Sequence, residues 1–329
     1  MPHLRWGVMG AARIARNFVC PAIHQAEGNA LAAIATSDPA RAEPFVARYP
    51  GLRVHQGYDA LLADDAIDAV YIPLPNHLHV EWTERALRAG KHVLCEKPVA
   101  LKAEQIDRLI AVRDETGRFA AEAFMIVHHP QWQRVRELIA DGAIGPLRHV
   151  DGAFTFRNTD TANIRNRPET GGGSLYDIGL YPCIGARFAS GAEPMHVEAR
   201  LEMEGGIDAM ARVWAEFPGF SLAFYCGMRL RPRQEMVFHG ETGWLRLTAP
   251  FNANVYGPTQ LHWMREDGQL VVEDYSNIDQ YRLMIEAFAR ATGGESFACP
   301  LEYSRANQRM LDTILAAGQS EPGAGTISP

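Results

Sequence analysis

Apolar and polar positions along the first 125 residues alternate between two regimes. Short apolar runs at Leu4–Met9, Leu31–Thr36, Leu52–His55, Ala69–Ile72, Lys91–Cys95 and Arg118–Ala123 have the length and composition of strands. Between them lie amphipathic stretches with recognisable helix ends. Asp38 before Pro39 is an N-cap followed by a first helical residue, because the cap side chain accepts from free backbone donors and proline lacks one. That helix is expected to run to about Tyr49. Asn76 is the candidate cap of the next long helix, which stops at Gly90. Over Ala103–Glu115, Ile106, Leu109, Ile110 and Val112 fall on one side, and Gly117 ends the helix. Strands alternating with helices predict a parallel sheet covered on both faces.

The regime changes after a helix expected at Gln131–Ala140. Strand-like runs at Val150–Phe156, Val197–Met203, Ala209–Phe217, Ser221–Met228, Glu235–His239 and Trp244–Thr248 then follow one another, most of them separated only by turns. Such a series predicts a largely antiparallel sheet. Helices near Gln280–Thr292 and Tyr303–Ala317 follow, and the Gly-, Ser- and Pro-rich tail from Gly318 reads as loose. The expected fold is α/β, with a parallel-sheet domain over 1–125 and an α+β domain over 126–329.

The length of 329 residues suits two domains, and 47% hydrophobic with 22% charged residues is the balance of a folded globular chain. A net charge of −7 disfavours nucleic acid or an anionic membrane as main partner. No apolar run approaches the roughly 18 residues of a membrane span. The chain enters its first strand almost at once, so no secretory leader is expected. Cys20, Cys95, Cys183, Cys226 and Cys299 are widely spaced, odd in number and without a C-x-x-C pair. They suit small buried hydrophobes in a reducing, cytoplasmic compartment.

The first strand ends in Gly7-Val8-Met9-Gly10-Ala11-Ala12-Arg13-Ile14-Ala15. From Gly10 this reads G-x-A-x-x-A, a softened dinucleotide fingerprint in which small residues let the backbone approach a pyrophosphate at a helix N-terminus. A tight strand-to-helix turn packed with small residues would look much the same. The second strand ends near Thr36 and Ser37 without the carboxylate that usually binds the ribose 2′-hydroxyl of NAD. Arg41, one turn beyond Ser37, is placed to meet a 2′-phosphate, so NADP is expected ahead of NAD. An exposed arginine on a solvated helix is the competing reading.

Ile72-Pro73-Leu74-Pro75-Asn76-His77-Leu78-His79 makes a short rigid loop at the carboxyl end of the fourth strand, where ligands sit in such sheets. His77, His79 and Glu81 lack a matching ligand pair and point apart, so no metal is expected. His128 and His129 read as pocket wall or structure. Glu96-Lys97-Pro98 ends the fifth strand at the same edge, from which Lys97 could reach a substrate hydroxyl or a nicotinamide ribose.

The segment Gly171-Gly172-Gly173-Ser174-Leu175-Tyr176-Asp177-Ile178-Gly179-Leu180-Tyr181 carries the densest signal. Three glycines before a helix suggest close backbone approach, and Asp177 and Tyr181, four apart, share a helix face. Oxidising an alcohol needs a base for the O–H proton and an acceptor for the hydride. Tyrosine, near 10 unperturbed, needs a cation such as Lys97 to come into range. A tyrosine merely anchored by Asp177 is the alternative.

Together these segments resemble the glucose–fructose oxidoreductase / inositol dehydrogenase / rhizopine-catabolism family (Gfo/Idh/MocA), from Trp6 to about Ile314. The resemblance rests on the Gly10 turn, Pro75-Asn76-His77, Glu96-Lys97-Pro98 and Gly171–Tyr181, in that order. It implies a Rossmann dinucleotide-binding domain followed by an open-sheet domain that binds substrate, covers the nicotinamide and often mediates oligomers, here a dimer or tetramer. It implies that Lys97 is the active-site lysine and Asp177 an acidic residue of the substrate site. Inositol-dehydrogenase-like members carry a histidine base where this chain has Tyr181. That departure points to the branch of dihydrodiol dehydrogenase, NADP-linked xylose dehydrogenase and glucose–fructose oxidoreductase. Glu122-Ala123-Phe124-Met125 and Asn163-Ile164-Arg165 also resemble that branch.

The cofactor contacts expected are then Gly10, Ala12, Arg13 and Ile14 at the pyrophosphate, and Ser37 and Arg41 at the adenosine ribose. Leu74, Asn76, His79, Glu96, Lys97 and Arg165 are expected further along, Arg165 near the nicotinamide. Ser37 stands where many NADP-binding members have arginine, which leaves the phosphate to Arg41. The expected activity is hydride transfer between nicotinamide and a sugar or cyclic polyol, aldose 1-dehydrogenation foremost. Tyr181 would take the proton, Lys97 lower its pKa and Asp177 orient the pair. Reduction of a keto- or anhydro-sugar, or oxidation of a trans-dihydrodiol, is the alternative chemistry. A non-catalytic nucleotide-sensing regulator is the alternative outside enzymes, and it would be expected to lack the lysine or the base.

Overall fold

Strands covered on both faces account for the unbroken apolar runs at the start of the chain. The structure, a computed structural model, describes residues 4–319. The first strands are β1 (Leu4–Met9), β2 (Asn29–Thr36), β3 (Arg53–Gln56), β4 (Ala69–Ile72), β5 (His92–Cys95) and β6 (Ala120–Glu122). With them alternate α1 (Cys20–Gln25), α2 (Glu43–Arg48), α3 (Tyr58–Leu62), α4 (His79–Arg88) and α5 (Ala103–Thr116). After α6 (Pro130–Ala140) come β7 (Leu147–Arg157), α7 (Leu180–Ser190), β8 (His196–Glu204), β9 (Ile207–Phe217), β10 (Phe220–Gly227) and β11 (Arg229–Gly240). The chain continues through β12 (Trp244–Leu247), β13 (Gln260–Met264), β14 (Leu270–Asp274), α8 (Gln280–Thr292) and α9 (Leu301–Gln319).

The described chain divides into two compact units, 4–130 with 277–308, and 131–276 with 309–319. In the first, six parallel strands lie in the order β3-β2-β1-β4-β5-β6. All four residues of β4 are buried, as a central parallel strand requires. The order reverses between β1 and β4, so the loops leaving both strands open at one crevice, the place where such sheets bind ligands. The division expected at 125/126 assigned 277–308 to the second domain; the structure returns this segment to the first unit. The reason is aromatic packing. Phe288 of α8 lies 5.0 Å from both Trp6 and Phe119, and Tyr281 stacks on Phe18 at 5.2 Å.

The second unit holds an eight-stranded sheet ordered β14-β13-β12-β11-β7-β10-β9-β8. Its pairs are antiparallel except β7 with β10, which run parallel because β10 arrives after α7 and the β8–β9 hairpin. Burial along β9 alternates from Ala211 to Phe217, the mark of a sheet covered on one face. That covered face carries Phe154, Phe251 and Tyr181, mutually about 5 Å apart, and Trp132 donates its ring N–H to Pro250 O at 2.7 Å. The sequence reading did not single out β13 and β14, which are short and separated from β12 by an irregular stretch. Of the tail expected from Gly318, Gly318 stays in α9, and residues 320–329 lie outside the described residues.

Candidate active site

β1 runs into Gly10, whose N–H donates to Ala35 O at 2.7 Å and whose φ is +99°. A Cβ there would be strained and would stand 3.1 Å from Leu74 Cδ2. The chain turns helical at Arg13 and passes through a π-turn, Ala15–Val19, into α1. The first N–H groups of any helix have no acceptor within it, and here they lie at the switch point of the sheet. This turn therefore fits a dinucleotide pyrophosphate. Ala12 and Ile14 are half-buried beside it, and Arg13 is exposed.

After β2, Ser37 and Arg41 are exposed, and the Asp38 carboxylate accepts from Ala40 N at 3.1 Å as a cap should. Tyr58, unmarked by any sequence motif, joins them. Its hydroxyl is 3.6 Å from where a Cβ on Gly10 would stand, and although burial raises its pKa, Arg41 pulls it back. Tyr58 thus stands beside Gly10 and within the field of Arg41.

The loop after β5 is held at each residue from 97 to 99. Lys97 N–H donates to Glu96 Oε2 at 3.3 Å, and Val99 N–H donates to Glu122 Oε1 at 2.8 Å. Pro98, which follows Lys97 through a cis peptide bond, has its carbonyl 2.7 Å from His79 Nδ1. The other oxygen of Glu96 accepts from Tyr71 Oη at 2.5 Å. Lys97 itself is half-buried at the carboxyl edge of the sheet.

His79 requires a correction. It is fully buried, and its Nε2 lies 2.7 Å from Leu74 O while Nδ1 faces Pro98 O, so the ring has no edge left for a dinucleotide. It lies between the loop after β4 and the loop after β5, and the neutral ring donates its single N–H to one of the two carbonyls. Burial lowers its pKa, and the two carbonyls work in the opposite direction. Asn76 and Leu74 remain on the first of these loops, Asn76 half-buried at the start of a 3-10 turn and Leu74 packed toward Gly10.

In the second unit, Arg165, Asp177 and Tyr181 occupy one stretch of chain. Arg165 Nε donates to Asp177 Oδ2 at 2.7 Å. Asp177 lies in a π-turn, Leu175–Gly179, that runs directly into α7, where Tyr181 is the second residue. Tyr181 is buried between Phe154 and Phe251, with 4% of its surface exposed. Two glycines of the triplet ahead of them give the close backbone approach that was expected there. A Cβ on Gly172 would stand 2.5 Å from Arg165 O, and one on Gly173, where φ is +125°, would run into the Asp208 carboxylate.

Asp208 is a buried partner of this segment that the sequence did not reveal. It is buried on β9, and its Oδ2 accepts from Ser174 Oγ and from Leu175 N, both at 2.7 Å. It thereby caps the segment carrying Asp177 and Tyr181. Burial pushes its carboxyl up to about 6 against those hydrogen bonds. Among the described residues no group of three or more His, Cys, Asp or Glu side chains could hold a metal ion.

A Rossmann sheet with a glycine turn at its switch point, a lysine loop beside it and a separate open-sheet unit define a dinucleotide-dependent oxidoreductase. Residues 4–124 match the oxidoreductase family with NAD-binding Rossmann fold, and 132–246 match the GFO/IDH/MocA C-terminal domain. The chain belongs to the GFO/IDH/MocA oxidoreductase family, and it is an enzyme. It is 36% identical to the dTDP-3,4-didehydro-2,6-dideoxy-alpha-D-glucose 3-reductase of Actinomadura kijaniata, over 94% of this chain and 93% of that one. It is 34% identical to D-xylose 1-dehydrogenase (NADP(+)) 2 of Haloferax volcanii, over 96% and 98%. The crystal structure of the 3-ketoreductase KijD10 from Actinomadura kijaniata with NADP and TDP-benzene superposes with a TM-score of 0.88 at 34% identity, covering 96% of this chain and 98% of that one. KijD10 has also been crystallised with single substitutions of a lysine and of a tyrosine.

Proposed function

We propose that this chain is an NADP-linked oxidoreductase of a sugar or sugar derivative, with Tyr181 as acid/base and Lys97 as its cationic partner. The observation that carries the reading is the loop Glu96–Val99, in which three side chains hold the backbone around one lysine at the ligand edge of the sheet. The substituted lysine and tyrosine of KijD10 lie as far apart in its sequence as Lys97 and Tyr181 do in this one, which supports the pairing. The bound dinucleotide would supply the hydride acceptor or donor. Tyr181 removes the proton from the substrate hydroxyl during oxidation and returns it during reduction. Lys97 stabilises the phenolate, since a nearby cation favours the charged form. Arg165 holds the Asp177 carboxylate in place to accept from a second substrate hydroxyl. Ser37 and Arg41 receive the 2′-phosphate, with Tyr58 beside them.

Oxidation of a free aldose is the first reading, supported by the likeness to the xylose dehydrogenase. Reduction of a keto-sugar joined to a nucleotide is the second, favoured by the likeness to the 3-reductase and its crystal structure. Initial rates with aldoses, trans-dihydrodiols and keto-sugar nucleotides, measured in both directions with NADP and NAD, separate these. Tyr181→Phe should lower kcat by about 10²-fold or more. A change of only a few-fold would remove Tyr181 from the chemistry.

The five cysteines are free and buried, which supports a reducing, cytoplasmic setting. The open face of the eight-stranded sheet, a concavity of about 1300 Å³ beside the exposed Trp214, is where we place a homo-oligomer contact. Light scattering of the wild type and Trp214→Glu tests that assignment.

A further inference from the structure

The three ties on the Lys97 loop differ in kind. His79 holds the Pro98 carbonyl from α4, and Glu96 holds the Lys97 N–H from within the loop. Glu122 holds the Val99 N–H from β6, the neighbouring strand, so like His79 it links the loop to a separate element, and it does so through a carboxyl group. Glu122 is buried, with 4% of its surface exposed, and Ser304 of α9 donates to it from the other side. The charged groups facing it are Glu96 and Lys97, both on the loop it restrains; the buried thiol of Cys95 lies within its field. A carboxylate in such a position accepts more strongly than a carboxylic acid, because charge-assisted hydrogen bonds are roughly twice as strong as neutral ones.

We propose that Glu122 is a proton-linked positioning residue: ionised, it draws the Val99 N–H tight and sets the loop that presents Lys97; protonated, it slackens that hold. The effect on turnover rests on the reading of Lys97 given above, while the hydrogen bond itself does not. Burial pushes the Glu122 carboxyl up to about 7, Ser304 and Val99 pull it down, Glu96 raises it and Lys97 lowers it. Its ionisation therefore falls within the working pH of an ordinary enzyme. No atoms are exchanged with substrate; the proton moves only between solvent and this carboxyl.

Pro98-Val99 is the only Pro-Val pair in the chain, so labelling proline carbonyl carbon with 13C and valine nitrogen with 15N isolates a single amide signal. In the wild type without cofactor, that amide should titrate between pH 5 and 9 with a midpoint near 7. In Glu122→Gln, which keeps an acceptor oxygen and cannot ionise, the titration should vanish. An amide in the wild type that does not move over this range overturns the proposal, whatever Lys97 does. The second arm compares pH profiles. Wild-type kcat should rise through the same midpoint by on the order of 10-fold, and Glu122→Gln should lose that limb with the KM for substrate changed less than about threefold. Superimposable profiles overturn the link to turnover. Lys97→Ala reports separately on the lysine: full activity in that variant defeats the mechanistic reading and leaves the amide titration standing.

Discussion

The Asp208 carboxylate and the Leu175 backbone nitrogen lie 2.7 Å apart, joining strand β9 to the first turn of the segment that bears Asp177 and Tyr181. A helix start leaves N–H groups without internal acceptors, and an anion at that end is favoured by the aligned peptide dipoles. Asp208 supplies both acceptor and charge from a residue 31 positions downstream of Asp177.

Removing that carboxylate should unsettle the segment. Asp208→Ala leaves Leu175 N–H and Ser174 Oγ without their buried acceptor, at about 2–4 kcal/mol by denaturant unfolding. Asp208→Asn, which keeps one acceptor oxygen, should cost less than half as much.

The pH dependence of stability follows from the same burial. Asp208 and Glu122 have folded pKa values raised to about 6 and about 7, above the ordinary carboxyl range near 4. The folded state therefore binds protons that the unfolded chain has released. Their contribution to stability is complete below about pH 4 and is lost as pH rises through 6 to 7. Unfolding free energies measured from pH 5 to 8 should decline, and Asp208→Asn with Glu122→Gln should flatten the curve by roughly 2–4 kcal/mol. A wild-type curve that rises across this window contradicts the assignment.

Gly172→Ala tests whether the triplet serves packing. Its Cβ would stand 2.5 Å from Arg165 O and 2.8 Å from Arg167 O, both backbone atoms with little room to yield. A loss of about 2–3 kcal/mol is expected, accompanied by weaker substrate binding as Arg165 and Asp177 separate. A variant as stable as the wild type would show that this close approach does not require glycine.

Arg41→Ala should raise the KM for NADP by about 10- to 100-fold, the range of a lost hydrogen bond to a charged group, and leave that for NAD nearly unchanged. Equal effects on both coenzymes would place the phosphate elsewhere.

His79→Ala should act on both loops at once. One of the two carbonyls, Leu74 O or Pro98 O, loses its donor and the other its packing, at about 1–3 kcal/mol. Cofactor affinity measured by fluorescence should fall along with melting temperature. A variant that loses affinity with no change in stability would point to direct contact instead.

The doubly wound half of the chain was readable because its signals are local. Capping by Asp38, the left-handed Gly117 after α5 and the buried run of β4 each depend on a few adjacent residues. The family motifs were readable for the same reason: Gly10, Lys97 and Tyr181 are marked by neighbours in sequence. Tyr58, Asp208 and the buried contacts of His79 and Glu122 were not. Nothing adjacent to Asp208 distinguishes it from a solvated strand carboxylate; its partner is 33 residues away.

Sequence periodicity established two kinds of sheet, since these follow from backbone geometry over one or two turns, while the motifs and the family they resemble marked the candidate site. Only the folded chain decided which carboxylates are buried, what the glycines make room for, and that α8 packs with the strands it follows by 150 residues or more. Burial and partnership arise when distant segments displace water from one another, and a polar residue carries no local mark of whether that will happen.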